Sequence, residues 1–200
     1  MVRAGWLAAC LVVAGCASSA PPSAPAASPS GARPEAGAAE IRWSGDRRLR
    51  WSDFLGPPPA ESAEAARTVY LLSYQSQCRG QEFQFSVAAL FLPRQSWVRP
   101  RVLASVNERG RVLGHEQTHF DLTEIYARRM RRYFAELYNP CGLVEDGVKT
   151  SVDRFVREEA QAQRRYDQET RYGLEMIPQQ RWDREVVEML VSLAAYADRP

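Results

Sequence analysis

Residues 107 to 138 read NERGRVLGHEQTHFDLTEIYARRMRRYFAELY. Leu113, Glu116, Phe120, Ile125, Ala127, Met130, Phe134 and Leu137 fall at helical spacings within it, and Asn139-Pro140 closes it, because proline cannot continue a helix. The pattern predicts one long helix from about Asn107 to Tyr138. Downstream the helical period persists. A second helix is expected from about Val152 to Tyr172, capped by Thr150 or Ser151 and stopped by Gly173. A third follows Pro178 with Trp182, Val186, Met189, Leu190 and Leu193 on its apolar face.

Upstream the period changes from 3.6 to 2. Glu82 to Leu92 alternates, with Phe83, Phe85, Val87, Ala89 and Phe91 on one face, and Thr68 to Tyr74 is rich in β-formers. These read as two antiparallel strands. Large apolar side chains first appear at Ile41, Trp43, Leu49, Trp51, Phe54 and Leu55, before Gly56-Pro57-Pro58-Pro59 breaks the chain. Strands first and helices after give an α+β domain, a small antiparallel sheet packed against two or three helices.

The chain has 200 residues, 45% hydrophobic and 25% charged, which suits one globular domain with extensions and excludes disorder throughout. Its net charge of +2 offers no electrostatic footprint for nucleic acid. The arginines at 128, 129, 131 and 132 are interrupted by apolar residues and read as a solvated helix face.

Residues 1–16 combine Arg3, an apolar run from Trp6 to Ala14, and small residues before Cys16, the layout of an export signal too short to span a bilayer. Val13-Ala14-Gly15-Cys16 resembles the lipobox of bacterial lipoproteins, which implies lipidation of Cys16 and anchorage to a membrane. Ala17, rather than aspartate, follows that cysteine, as in lipoproteins sorted to an outer membrane. The expected location is therefore the bacterial cell envelope, on the periplasmic face of the outer membrane where one exists. Residues 17–39 are almost entirely Ala, Ser, Pro and Gly and read as a tether, leaving 40–200 for the folded domain. Cys10 departs with the signal, so Cys78 and Cys141 remain as an even pair. In an oxidising compartment they are expected to form a disulfide that closes a loop of about sixty residues, worth about 3 to 4 kcal/mol.

His115 and His119 are the only two histidines in the chain. Four residues apart on a helix, they lie about 40° apart around its axis and roughly 6 Å apart along it, so their imidazoles can converge on one ion. Glu116 projects from the adjacent stripe, where a carboxylate can act as general base without occupying a coordination position. Two neutral nitrogen ligands, a Lewis acid and a nearby base are what metal-assisted peptide hydrolysis requires. A catalytic zinc also takes a third protein ligand. The segment Tyr166 to Tyr172 is richest in candidates: Glu169 offers a carboxylate and Tyr172 a phenolate.

Four stretches carry a resemblance: Leu49-Arg50-Trp51-Ser52-Asp53-Phe54-Leu55-Gly56, Ser96-Trp97-Val98, His115-Glu116-Gln117-Thr118-His119-Phe120-Asp121-Leu122, and Tyr166-Asp167-Gln168-Glu169-Thr170. Together they resemble an uncharacterised bacterial family described as predicted secreted zinc-dependent proteases. The resemblance implies a zincin-like metallopeptidase domain, a Zn2+ cofactor and a protein or peptide substrate. Family members place a histidine two residues after the threonine matching Thr170, where this chain has Tyr172. The implied metal set is then His115, His119 and Tyr172, with Glu169 or Asp167 as substitutes. The implied activity is that of a membrane-anchored zinc hydrolase with Glu116 as base. A non-catalytic lipoprotein that binds a peptide or partner through a degenerate cleft is the alternative; in it Glu116→Gln would be silent.

Overall fold

A computed structural model describes residues 40–142 and 145–198. The signal segment with Cys16 and the tether lie outside the described residues. Strands β1 (Ile41–Arg42), β2 (Ala66–Arg67), β3 (Tyr70–Arg79), β4 (Glu82–Phe91) and β5 (Trp97–Val98) come first. Helices α1 (Pro100–Ala104), α2 (Val106–Glu136), α3 (Glu145–Thr170) and α4 (Met176–Ser192) follow. The expected α+β class is what is observed, with four helices instead of two or three. None of the described helices is long and apolar enough to cross a membrane.

The β3–β4 hairpin is paired without interruption from Tyr70↔Phe91 to Arg79↔Glu82. Gly80 turns it at φ +64°, a conformation that glycine adopts at little cost. β1 adds to the far end of β4 through Ile41↔Phe91 and Arg42↔Leu90, giving the order β1-β4-β3. β2 and β5 form a separate two-stranded ladder. Gly56 holds the chain against this region. A Cβ there would meet the Arg94 carbonyl oxygen at 2.7 Å and that of Ser96 at 2.9 Å.

The alternating face of β4 turns inward, and Val87, Ala89 and Phe91 join Phe120, Ala127, Met130 and Phe134 of α2 in the main core. The other side of α2 supplies Leu122 and Ile125 to a second core with Tyr166 of α3 and Trp182 and Val186 of α4. The long helix is thus buried between the sheet and the two later helices. That is why its middle carries buried polar side chains on nearly every face.

Three boundaries differ from the sequence reading. Ser105 caps α2 by accepting from the Glu108 N–H (3.3 Å), so the helix starts at Val106 and leaves a separate short α1 with Pro100 at its first position. α3 begins at Glu145, well before Thr150-Ser151. The Ser151 hydroxyl donates instead to the Gly147 carbonyl within the helix (3.0 Å). α4 begins at Met176 and contains Pro178 in its first turn, where no intrahelical N–H is required.

The arginine cluster is not a solvated face. Arg128 is buried, donates to Glu124 (2.9 Å) and the Leu190 carbonyl (2.6 Å), and stacks on Trp43. Arg131 donates to Glu124, to the Val87 carbonyl at the β4 edge and to the Tyr196 carbonyl. Glu124, 1% exposed, is the reason: a buried carboxylate needs cationic donors. Arg132 alone of the four is exposed. Cys78 on β3 and Cys141 in the turn after α2 form the expected disulfide.

Candidate metal centre

His115, Glu116 and His119 lie on consecutive turns of α2, and the first two are buried (5% and 4% exposed). The imidazole rings stand nearly perpendicular, 86° apart, with their Nε2 atoms 3.2 Å from each other. Asp167, in the last turns of α3, brings Oδ1 to 3.2 Å from Nε2 of His115 and 3.0 Å from Nε2 of His119. The three atoms make a nearly equilateral triangle. Ligands of a tetrahedral zinc with bonds of about 2.0–2.1 Å are about 3.3–3.4 Å apart, so the spacing is within a few tenths of an ångström of one face of that tetrahedron.

The other ring nitrogens are occupied. Nδ1 of His115 lies 3.2 Å from Oε1 of Gln179, and Nδ1 of His119 lies 2.7 Å from Oε1 of Gln163. An amide oxygen only accepts, so both Nδ1 atoms carry a proton, and in the neutral imidazoles each Nε2 turns its lone pair toward Asp167. This accounts for a second observation. Asp167 Oδ1 is buried between two ring nitrogens at ion-pair distance, and while both imidazoles are neutral in this tautomer neither Nε2 has a proton to donate to it. Glu116 Oε2 is likewise buried without a partner. A buried carboxylate oxygen facing nitrogen lone pairs calls for a cation.

The electrostatics agree. Burial pushes His119 down, but the Asp167 charge, its hydrogen bond, Glu116 and Gln163 outweigh it and bring the imidazole up to about 9. Burial pushes the Asp167 carboxyl up, and the two histidines override it, holding it well below the usual carboxylate range. Without a metal, a proton serves as the missing cation.

Tyr166 and Gly173 fix the rings. Tyr166 is fully buried, stacks on His115 (4.7 Å, 21°), meets His119 edge-on (4.9 Å, 79°), and donates to the His115 carbonyl (3.3 Å). Beyond Thr170 the chain takes three left-handed residues, Arg171, Tyr172 and Gly173. Gly173 thereby lies against His115: a Cβ on it would be 2.9 Å from the ring's Cγ. Arg111 holds it there by donating to its carbonyl (2.6 Å).

That same turn carries Tyr172, the third ligand implied above. Its side chain is 65% exposed, and the left-handed backbone after the helix end turns it to solvent instead of toward the histidines. Asp167, five residues earlier and still helical, takes the place beside them. Glu169 is engaged elsewhere, accepting from Trp182 Nε1 (2.9 Å) and from Arg181. Cys78 and Cys141 are joined to each other and take no part.

The residues between and after the histidines anchor the helix. Gln117 accepts from the Leu49 N–H (2.7 Å) and donates to Asp121 (2.8 Å), which also accepts from Trp43 Nε1 (2.7 Å). Thr118 donates to the Gly114 carbonyl (3.1 Å) and to Asp183 of α4 (3.2 Å). The Thr68 hydroxyl donates to the Glu116 carbonyl (3.2 Å) and ties the β2–β3 segment to the site. Trp97 is a core residue, 3% exposed. β4 is paired with β3 along its length, while β1 covers its other side only at Leu90 and Phe91.

Sequence reasoning missed Gln163, Gln179 and Arg67. Gln163 is four residues before Asp167 on the same stripe of α3, a spacing that could have flagged it. Gln179 carries no such local signal. Arg67 is forked onto Glu64 (2.8 and 2.5 Å), and that pairing, with the charges of Glu116 and Asp167, holds its pKa up against burial.

No curated protein and no solved structure is significantly similar to the chain. A family model described as "Bacterial protein of unknown function (DUF922)" matches residues 47–173, more than half of the chain and all three members of the His-His-Asp cluster. The chain belongs to that bacterial family, DUF922.

Proposed function

We propose that the protein is an envelope-anchored, zinc-dependent peptide hydrolase in which His115, His119 and Asp167 hold the metal and Glu116 is the general base. One observation carries this reading: the Nε2 atoms of two imidazoles and a buried carboxylate oxygen converge within 3.2 Å, and on the same helix buried Glu116 leaves Oε2 without a partner. Zinc, when bound, supplies a Lewis acid that polarises a carbonyl and lowers the pKa of water. Glu116, one residue after the first ligand and buried, would take a proton from an attacking water and return it to the departing amine nitrogen. Tyr166 and Gly173 keep the His115 ring in the orientation this requires.

The donor set of two histidines and a carboxylate, with one position left open, is that of catalytic rather than structural zinc. The reading of a non-catalytic lipoprotein drew on the tyrosine at 172. It loses that support because Asp167 offers a third donor. The Cys78–Cys141 disulfide supports an exported location, and anchorage through Cys16 remains the proposal for the first forty residues.

The test is hydrolysis of an unstructured protein such as casein by the zinc-loaded chain, wild type beside Glu116→Gln. A loss of about 10²- to 10⁴-fold in turnover with zinc content unchanged is expected. Equal activity in the two proteins, or none in either, would contradict the assignment of Glu116.

A further inference from the structure

Each histidine of the cluster is backed by a glutamine, and each glutamine by a carboxylate. Gln163 Oε1 faces Nδ1 of His119 at 2.7 Å, while its Nε2 donates to Glu159 Oε1 at 2.6 Å and to the His119 carbonyl at 3.0 Å. Gln179 Oε1 faces Nδ1 of His115 at 3.2 Å, while its Nε2 donates to Asp183 Oδ1 at 2.8 Å. A glutamine amide has two faces of nearly equal size, and only the partners decide which points where. A carboxylate on one side forces the NH2 end toward itself and leaves the oxygen for the ring.

The orientation has a consequence at the metal. With Oε1 toward the ring, Nδ1 must be the protonated nitrogen and Nε2 keeps its lone pair. Were the amide reversed, its NH2 would face Nδ1, the ring proton would move to Nε2, and that nitrogen could no longer act as a ligand. Glu159 makes the reversal costly on the His119 side. It is 2% exposed, and Thr123 (3.4 Å) and the Tyr70 phenol also hydrogen-bond to it.

We propose that Gln163–Glu159 and Gln179–Asp183 are paired outer-sphere relays that select the metal-binding tautomer of His119 and His115, with buried Glu159 the stronger determinant. The inference rests on the metal reading above and assigns positioning roles, not catalytic ones. Outer partners of metal-bound histidines are ordinarily a carboxylate or a carbonyl in direct contact. Here the carboxylate acts one residue removed, through a neutral amide.

The experiment measures zinc affinity of the full chain by competition with a chromophoric chelator, and the visible spectrum of the cobalt-substituted protein. The variants are Gln163→Met, Glu159→Gln and the exchange Gln163→Glu/Glu159→Gln. Gln163→Met should bind zinc about 10- to 100-fold more weakly and shift the cobalt bands. Glu159→Gln should weaken binding less, because the amide then has two orientations. The exchange preserves size and hydrogen-bonding capacity while putting the carboxylate on the ring. It should restore wild-type affinity within a few-fold and, with it, the wild-type cobalt bands, which report the ligand field at the histidines and not fold stability. Wild-type affinity and spectrum in Gln163→Met, or an exchange variant as weak as that single variant, would overturn the relay while leaving the metal site intact. A wild-type chain that takes no zinc would instead overturn the metal reading, and the relay with it.

Discussion

Which residue stands beside the two histidines is decided by where two side chains of one segment point. Asp167 is inside the helix and lies 3.0 and 3.2 Å from the two Nε2 atoms, whereas Tyr172 follows the helix end and is 65% exposed. Gly173 is the residue that makes this turn possible, at φ +75° and in contact with His115. Gly173→Ala should cost about 1–2 kcal/mol through the strained backbone alone. It should also weaken zinc binding about tenfold by displacing the His115 ring, as read by denaturant melting and chelator competition. Unchanged zinc affinity would mean that the ring has room the structure does not show. A pH dependence follows from the same residues. His119 is raised from 6.5 to about 9, so its contribution to metal-free stability is complete below pH 6.5 and lost as the pH rises through about 9. Asp167 is depressed, so its contribution is present above its ordinary value of 3.8 and lost as the pH falls through its lower folded value. These describe one ion pair and count once. Metal-free protein should therefore lose stability between pH 6.5 and 9, followed by denaturant midpoints. Zinc uptake near pH 7.5 should release about one proton, read by calorimetry in buffers of different ionisation enthalpy. No proton release would show that His119 is already neutral.

At the scale of elements, α2 was legible because a helical period of apolar positions runs through a 31-residue segment and leaves few alternatives, and the chain's only two histidines mark the site. The hairpin was legible for the same reason, through the alternation of Phe83, Phe85, Val87, Ala89 and Phe91. Helix ends were less so. Ser105 and Ser151 are equally good caps by composition, and only tertiary packing makes one a cap and the other a helix interior. The neighbour of the two histidines was hidden for this reason: Tyr172 and Asp167 are chemically both possible donors, and which one lies beside the rings depends on the helix stopping at Thr170 and the chain turning left-handed. The arginine cluster failed because nothing local announces that Glu124 is buried. The element account makes its own prediction. Arg131 links α2 to the β4 edge and to the C-terminal turn, so Arg131→Met should destabilise the protein by about 3 kcal/mol in chemical unfolding, mostly from leaving Glu124 short of a donor. A change below 1 kcal/mol would show that Arg128 alone neutralises it.

Across the whole molecule, the sheet, α3 and α4 all close on α2, and the cluster sits where the last turns of α3 meet its first half. The disulfide joins the hairpin to the turn between α2 and α3 across 63 residues of sequence. Its removal by Cys78→Ser with Cys141→Ser should cost about 4 kcal/mol on the chain-entropy model, measured as a shift in the unfolding midpoint. The central claim concerns metal, and elemental mass spectrometry of the purified chain tests it most directly. The account predicts about one zinc per chain in the wild type and in Tyr172→Phe, a reduced content in Asp167→Asn, and none in His119→Ala. Absence of zinc from the wild type after incubation with the metal, or loss in Tyr172→Phe with retention in Asp167→Asn, would contradict it.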